Sequence, residues 1–322
     1  MHEYNAVFRS LFCCNPLNNF SSFSDFEALL PQYPEYKRYN DIIMEHIRKI
    51  AVEGRENEQK LPSGWVMKIS LALSGGAARG AFHLGVLEAL EKNGFSIEAI
   101  SGTSIGAIIG TSYAAGVAPR EQLEIFESKA FKKIFKLKGF RNGFFRIDQQ
   151  QDILKKLIPI SHIEKTRIKL HITAVDLISG EIIRFDKGEA IPLCVASSAV
   201  LPLFEPLLYG AYYLADGGVM DNLPVAPLLK YNHPIIGVDL HPLFHGFTPS
   251  FIGGIKRTLF LTWHASIQEH LKLCDFYITD PKLSNYALLR FKNFKEMFHL
   301  GYETTMELSK QKLKFAADSG KE

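Results

Sequence analysis

Cysteine is scarce: Cys13, Cys14, Cys194 and Cys274 are the only four in 322 residues, and their spacing is irregular. That pattern offers neither a disulfide framework nor a cysteine-based zinc site, and it suits a reducing compartment. Long apolar runs are absent too. No window approaches the ~18 consecutive apolar residues of a spanning helix. The opening stretch MHEYNAVFRSLFCCNPLNNF places charges around a very short apolar patch, which is no secretory core. A cytoplasmic protein, in contact with a membrane only peripherally, is the expectation. The adjacent Cys13 and Cys14 are either acylation sites or idle thiols. Excess charge is lacking as well, at +3, so bulk electrostatics do not call for nucleic acid. There is no internal repeat and no low-complexity tract.

What is present is apolar residue, 47% of the chain, enough for a sizeable core. Over 41–51, Ile43, Ile47 and Ile50 share one face of a predicted helix, with Gly54 as its C-cap. The polar stretch EGRENEQKLPSG, 53–64, follows as a linker. The chain therefore divides into an N-terminal helical extension with its linker, 1–64, and a main domain, 65–322. In the main domain, MKISLAL (67–73) is a short strand and AFHLGVLEALEKNG (81–94) a helix. IEAISG is a second strand and IGAIIGTSYAAG a buried second helix. This βαβα order favours a parallel sheet with right-handed crossovers. RIKLHITAVDL and GEIIRF alternate as strands about a Ser179-Gly180 turn, and PIIGVDL and FYITD are further strands. Residues 255–272 form an amphipathic helix with Ile255, Leu259, Trp263, Ile267 and Leu271 in register, and 292–315 are helical. The expected fold is a three-layer α/β/α domain with a mainly parallel central sheet.

Chemistry-bearing residues sit in three turns. In Gly102-Thr103-Ser104-Ile105-Gly106, two glycines leave room for a sharp strand-to-helix elbow that exposes a serine above a helix N-terminus. The alternative is a small residue where strand and helix pack closely. In Gly75-Gly76-Ala77-Ala78-Arg79-Gly80, the spacing departs from the G-x-G-x-x-G of a dinucleotide fold. Side-chain-free backbone there can aim N–H groups at a substrate oxygen as an oxyanion hole. Arg79 either orders the loop or is a surface charge. In Asp216-Gly217-Gly218, the carboxylate either points into a crevice or belongs to a plain Asp-Gly turn.

Taken in this order, Gly75-Gly76-x-x-Arg79-Gly80, Gly102-x-Ser104-x-Gly106 and Asp216-Gly217-Gly218 resemble the patatin-like phospholipase family. ASSAVLPLFEPLLYGAYYLADGG and DNLPVAPL extend the resemblance, which covers about residues 67–305. It implies a Ser104–Asp216 dyad without histidine, Ser104 as nucleophile, Asp216 as general base and the Gly75–Gly80 loop as oxyanion hole. It implies hydrolysis of acyl esters of phospholipids, lysophospholipids or neutral lipids, or transfer of the acyl group, without calcium. No metal or other cofactor is expected. A non-catalytic lipid-binding protein on the same fold is the further alternative.

His241, after PIIGVDL, competes for the role of base, because Ser, Asp, His is the chain order of an α/β-hydrolase triad. Against it, only one strand of the domain precedes the elbow. His83 is expected to be structural. Finally, KAFKKIFKLKGFRNGFFR, 129–146, has no acidic residue. Lys132, Lys133 and Lys136 interleave there with Phe135 and Phe140, which suits an anionic bilayer surface. A helix packing its aromatics inward and its lysines outward fits equally. No nucleic-acid motif accompanies the patch.

Overall fold

The computed structural model describes residues 67–137, 143–243, 246 and 249–319. The helix expected over 41–51, the linker 53–64, Cys13, Cys14 and Phe140 lie outside the described residues. Residues from Val66 to Leu308 form one compact unit.

The described elements are β1 (Met67–Leu73), α1 (Ala81–Lys92), β2 (Phe95–Thr103), α2 (Ile105–Ala114), α3 (Pro119–Glu127), α4 (Lys129–Lys132), β3 (Phe135–Leu137) and β4 (Phe145–Ile147). They continue with α5 (Asp152–Leu157), β5 (Lys169–Asp176), β6 (Ile182–Phe185), α6 (Ala190–Ser197), β7 (Leu207–Tyr209) and β8 (Tyr212–Asp216). The last are β9 (Ile235–Val238), α7 (Phe251–Leu271), β10 (Phe276–Ile278) and α8 (Phe294–Ser319).

The sheet runs β10-β9-β1-β2-β5-β8-β7, with β6 also paired to β5. From β10 to β5 every pairing is parallel. The expected mixed α/β architecture with a mainly parallel sheet is present. Parallel strands are covered on both faces, which is why β9 is apolar throughout and β1 is buried at every position from Ile69 to Leu73, Ser70 included. On one face Ile69, Leu71, Leu73, Ile100 and Val238 pack with Phe82, Leu84 and Leu87 of α1 and Ile109 of α2. On the other, Ala72, Ala99 and Ile235 pack with Leu223, Val225 and Leu228 and with Ile267 of α7. The small side chains of Ala72 and Ala99 let the 223–228 segment approach the second face. Antiparallel pairing begins past β5, where β6 and β8 both join it. The expected turn between β5 and β6 is held by Asp176, whose carboxylate accepts the N–H groups of Ile178 and Ser179 and that of Tyr213.

Two expectations change. The five residues placed in register on the 255–272 helix do not share one buried face. Ile267 is buried, yet Ile255 is 47% exposed and Phe260 takes the inner position instead. A four-residue step turns ~400° around a helix, so a stripe at that spacing drifts off the core within a few turns. The basic stretch 129–146 is not one helix: α4 ends at Lys132, and β3 pairs with β4. Phe131 and Ile134 are buried, and Phe135 packs half-buried against Phe131, Phe204 and Phe291 at 5.8, 5.7 and 5.4 Å. Lys132, Lys133 and Lys136 stay exposed.

Candidate active site

The three turns named from the sequence meet at the carboxyl edge of the sheet. Strand β2 ends at Thr103, and α2 starts at Ile105. Ser104 alone makes the corner, at φ 54° and ψ −123°. A non-glycine residue there stores backbone strain that its surroundings must hold. They do so in three ways. The Ser104 N–H donates to Ser197 Oγ at 2.9 Å, and that hydroxyl donates to the Thr173 carbonyl at 2.6 Å. The Ser104 carbonyl accepts from Ala107 and Ile108 as the first turn of α2. Gly106 passes so near β1 that a β-carbon on it would lie 2.3 Å from the Leu73 carbonyl oxygen.

Asp216 closes β8 opposite Ala174 of β5. Its Oδ1 accepts the Gly218 N–H at 2.7 Å, while Oδ2 carries no hydrogen bond. The carboxylate is 3% exposed. Burial pushes its pKa up to about 6, against the pull of the Ser104 hydroxyl and the Gly218 N–H, both of which favour the ion. The hydroxyl therefore lies beside the carboxylate without a closed hydrogen bond. Gly217 is required by close packing, since a β-carbon would meet the Thr173 carbonyl oxygen at 2.7 Å.

The loop after β1 lies against the same serine. A β-carbon on Gly75 would sit 3.2 Å from Ser104 Cβ. Its N–H is already engaged, donating to both Oδ1 and the carbonyl of Asn222 at 3.2 Å. The Ala78 N–H donates to Leu288 and the Arg79 N–H to Gly76. The N–H groups of Gly76 and Ala77 have no partner among the described residues. Arg79 is no surface charge: it is 4% exposed and donates to the carbonyls of Tyr286 and Leu240, both at 2.8 Å. Burial holds its pKa down at about 10, with Asp239 opposing. Gly80 abuts Ile105 at the elbow.

Residues 71–229 match the family model for patatin-like phospholipases. The chain carries a patatin-like phospholipase domain. An NTE-family protein of Mycobacterium tuberculosis, itself named as uncharacterized, is 32% identical over 182 residues, covering 54% of this chain and 49% of that one. Lysophospholipase NTE1 of Candida albicans is 25% identical over 331 residues, covering 89% of this chain and 24% of its own length. The chain thus spans about half the length of the mycobacterial relative and about a quarter of the fungal one. VipD from Legionella pneumophila has a TM-score of 0.48 at 14% identity, covering 83% of this chain and 73% of that one.

All three turns fall within the patatin-like domain, and His241 falls beyond the matched stretch. His241 is 2% exposed. Its Nδ1 faces the Asn222 amide at 3.2 Å and its Nε2 has no partner, so neither ring nitrogen bonds Ser104 or Asp216. Burial, then Arg79 and His264, hold its pKa down at about 3. His83 is equally buried, and its Nε2 bonds the Ser74 carbonyl at 2.9 Å; burial holds it at about 4. Both rings are neutral struts of the loop.

Asn222 is the residue that sequence reasoning left without a role, although it stands in the quoted DNLP segment of the patatin-like domain. Its carboxamide joins the Gly75 loop to His241, and its N–H donates to Ser266 of α7. Beside it, Asp221 is wholly buried and pairs with Arg184 at 2.6 Å and His270 at 3.0 Å. The Asp221 carbonyl accepts the Thr103 hydroxyl at 2.8 Å, which ties the pair to the end of β2. Among the described residues no cluster of His, Cys, Asp and Glu is arranged to hold a metal ion. No described helix is long and apolar enough to cross a membrane.

Proposed function

We propose that this chain is a serine lipid acyl hydrolase that cleaves fatty-acyl esters of phospholipids or lysophospholipids. One observation carries the reading: a strained serine at a helix N-terminus lies beside a buried carboxylate whose pKa is raised to about 6. An ordinary Asp, near ~4, is too weak a base for a serine hydroxyl, and a raised pKa narrows that mismatch. The lysophospholipase name of a relative that aligns with most of this chain supports the substrate class.

In this mechanism Ser104 Oγ attacks the acyl carbonyl as Asp216 takes its proton. The oxyanion lies in front of the loop, where Gly76 and Ala77 have N–H groups to donate. Gly75 serves instead as the anchored base of that loop, because Asn222 occupies its N–H. One such donor is worth ~3 kcal/mol in the transition state. Asp216 returns the proton to the leaving alcohol, then draws a proton from water as it attacks the acyl-enzyme.

The test is a fluorophosphonate probe followed by a panel of phospholipids, lysophospholipids and triacylglycerols. Labelling at Ser104, its loss in Ser104→Ala, and release of fatty acid from phospholipid or lysophospholipid are expected. Labelling that survives Ser104→Ala would remove the nucleophile from this scheme.

A further inference from the structure

Helix α7 has an outward face that lies exposed among the described residues. Phe251 is 85% exposed, Ile255 47% and Leu261 43%. Thr258, Thr262 and Ala265 lie on the same exposed side. No charged residue interrupts that face until Glu269, because Lys256, four residues before the buried Phe260, projects from the other side of the helix and Arg257 lies over the Phe260 ring at 5.3 Å. The neighbouring sequence is also free of acid: between Asp239 and Glu269 there is no Asp or Glu. An uncharged, bulky stripe on a segment that holds Lys256 and Arg257 and no acid is the pattern of a helix lying in an anionic lipid interface. A helix face meant for water would carry charge there.

The position of this face links it to the candidate site. Ser266 of α7 donates to the Met220 carbonyl at 3.2 Å and accepts the Asn222 N–H at 2.9 Å. Val219 and Met220, immediately after the Asp216 turn, are 48% and 43% exposed. The helix is therefore tied through Ser266 to the segment that follows the Asp216 turn, where Val219 and Met220 add exposed apolar surface beside it.

We propose that the outer face of α7, with Val219 and Met220, docks on an anionic phospholipid surface and holds the crevice over it. The docking stands on the helix itself; its service to catalysis rests on the hydrolase reading above. The face differs from the 129–146 stretch, whose aromatics Phe131 and Phe135 turn toward the protein.

Vesicle sedimentation of the full chain tests it, with phosphatidylcholine alone and with added phosphatidylglycerol. Wild type is expected to sediment with the anionic vesicles and to be released by salt. The double variant Phe251→Glu, Ile255→Glu is expected to bind about tenfold more weakly. Ile178→Glu, at a residue 72% exposed elsewhere, is expected to bind as wild type. Hydrolysis of a short soluble ester by the α7 double variant, unchanged from wild type, shows that it is folded. Ser104→Ala is expected to bind vesicles fully, which separates docking from turnover. Absence of wild-type binding overturns the proposal, as does undiminished binding by the α7 variant. Shielding of Phe251 and Ile255 from hydroxyl-radical labelling without lipid also overturns it, since another part of the chain or a second protein then covers the face.

Discussion

Gly75 and Asn222 are fitted to each other across the candidate site. The Gly75 N–H donates to Asn222 Oδ1 at 3.2 Å, and a β-carbon on Gly75 would stand 2.6 Å from that same oxygen. The loop in front of Ser104 is thus set by an amide held from behind by His241. Gly75→Ala is expected to push the carboxamide away and crowd Ser104. It should lower kcat/KM at least about tenfold and cost ~1–3 kcal/mol of stability, as overpacking of a dense interior does. Ester kinetics and thermal melts read the two effects separately.

Asn222→Ala leaves the Gly75 N–H with only a backbone acceptor and takes from His241 Nδ1 the amide that donates to it. A buried polar group that loses its partner costs ~1–3 kcal/mol. The expected signature is a fall in kcat with little change in KM, because in the proposed mechanism the loop meets the oxyanion and not the acyl chain. A pure KM effect would contradict it.

The pH dependence follows from Asp216. Its raised pKa, about 6, means that the base form is lost as pH falls through that value, so kcat/KM should drop with an acid limb near pH 6. The same shift acts on stability with the opposite sign. The unfolded carboxyl ionises near ~4, so the fold loses stability as pH rises from there to about 6. Asp216→Asn is therefore expected to abolish turnover and yet raise Tm at neutral pH, by an amount on the order of 3 kcal/mol in stability. A lowered Tm at neutral pH would contradict the burial assigned to this carboxylate.

His241→Ala distinguishes the two candidate bases. With its pKa held at about 3 and no hydrogen bond to Ser104, the ring contributes no limb near neutrality. Fluorophosphonate labelling should persist, and the acid limb should stay near pH 6. Its disappearance in this variant, with Asp216→Asn still active, would transfer the base to histidine.

Arg184→Met strands the buried Asp221 with His270 as its remaining partner. Removing one member of a buried ion pair costs several kcal/mol, here ~3. Chemical denaturation should show the loss, and fluorophosphonate labelling of the folded fraction should be kept.

The sequence carried the parts whose causes are local. Hydrophobic runs placed β1, β2, β9 and the helices α1 and α2, because strands and helices buried in the middle layers draw mostly on apolar residues. The glycines around Ser104 announced an elbow, because only small residues let β2 and α2 approach that closely. The family resemblance then joined that elbow to Gly75–Gly80 and Asp216. What required the tertiary structure was whatever depends on two distant segments meeting. Burial decided the pKa of Asp216, and packing turned Arg79 inward and left His241 facing Asn222 and away from Ser104. The 255–272 helix shows the limit most plainly. Its four-residue spacing looks like one stripe in the chain, and only the docked helix reveals that Ile255 has rotated into solvent while Ile267 stays in the core. Periodicity records local geometry. Which neighbour each face meets, and which polar atoms remain unpaired, is decided by contacts hundreds of residues apart in the chain, as between Arg79 and Tyr286.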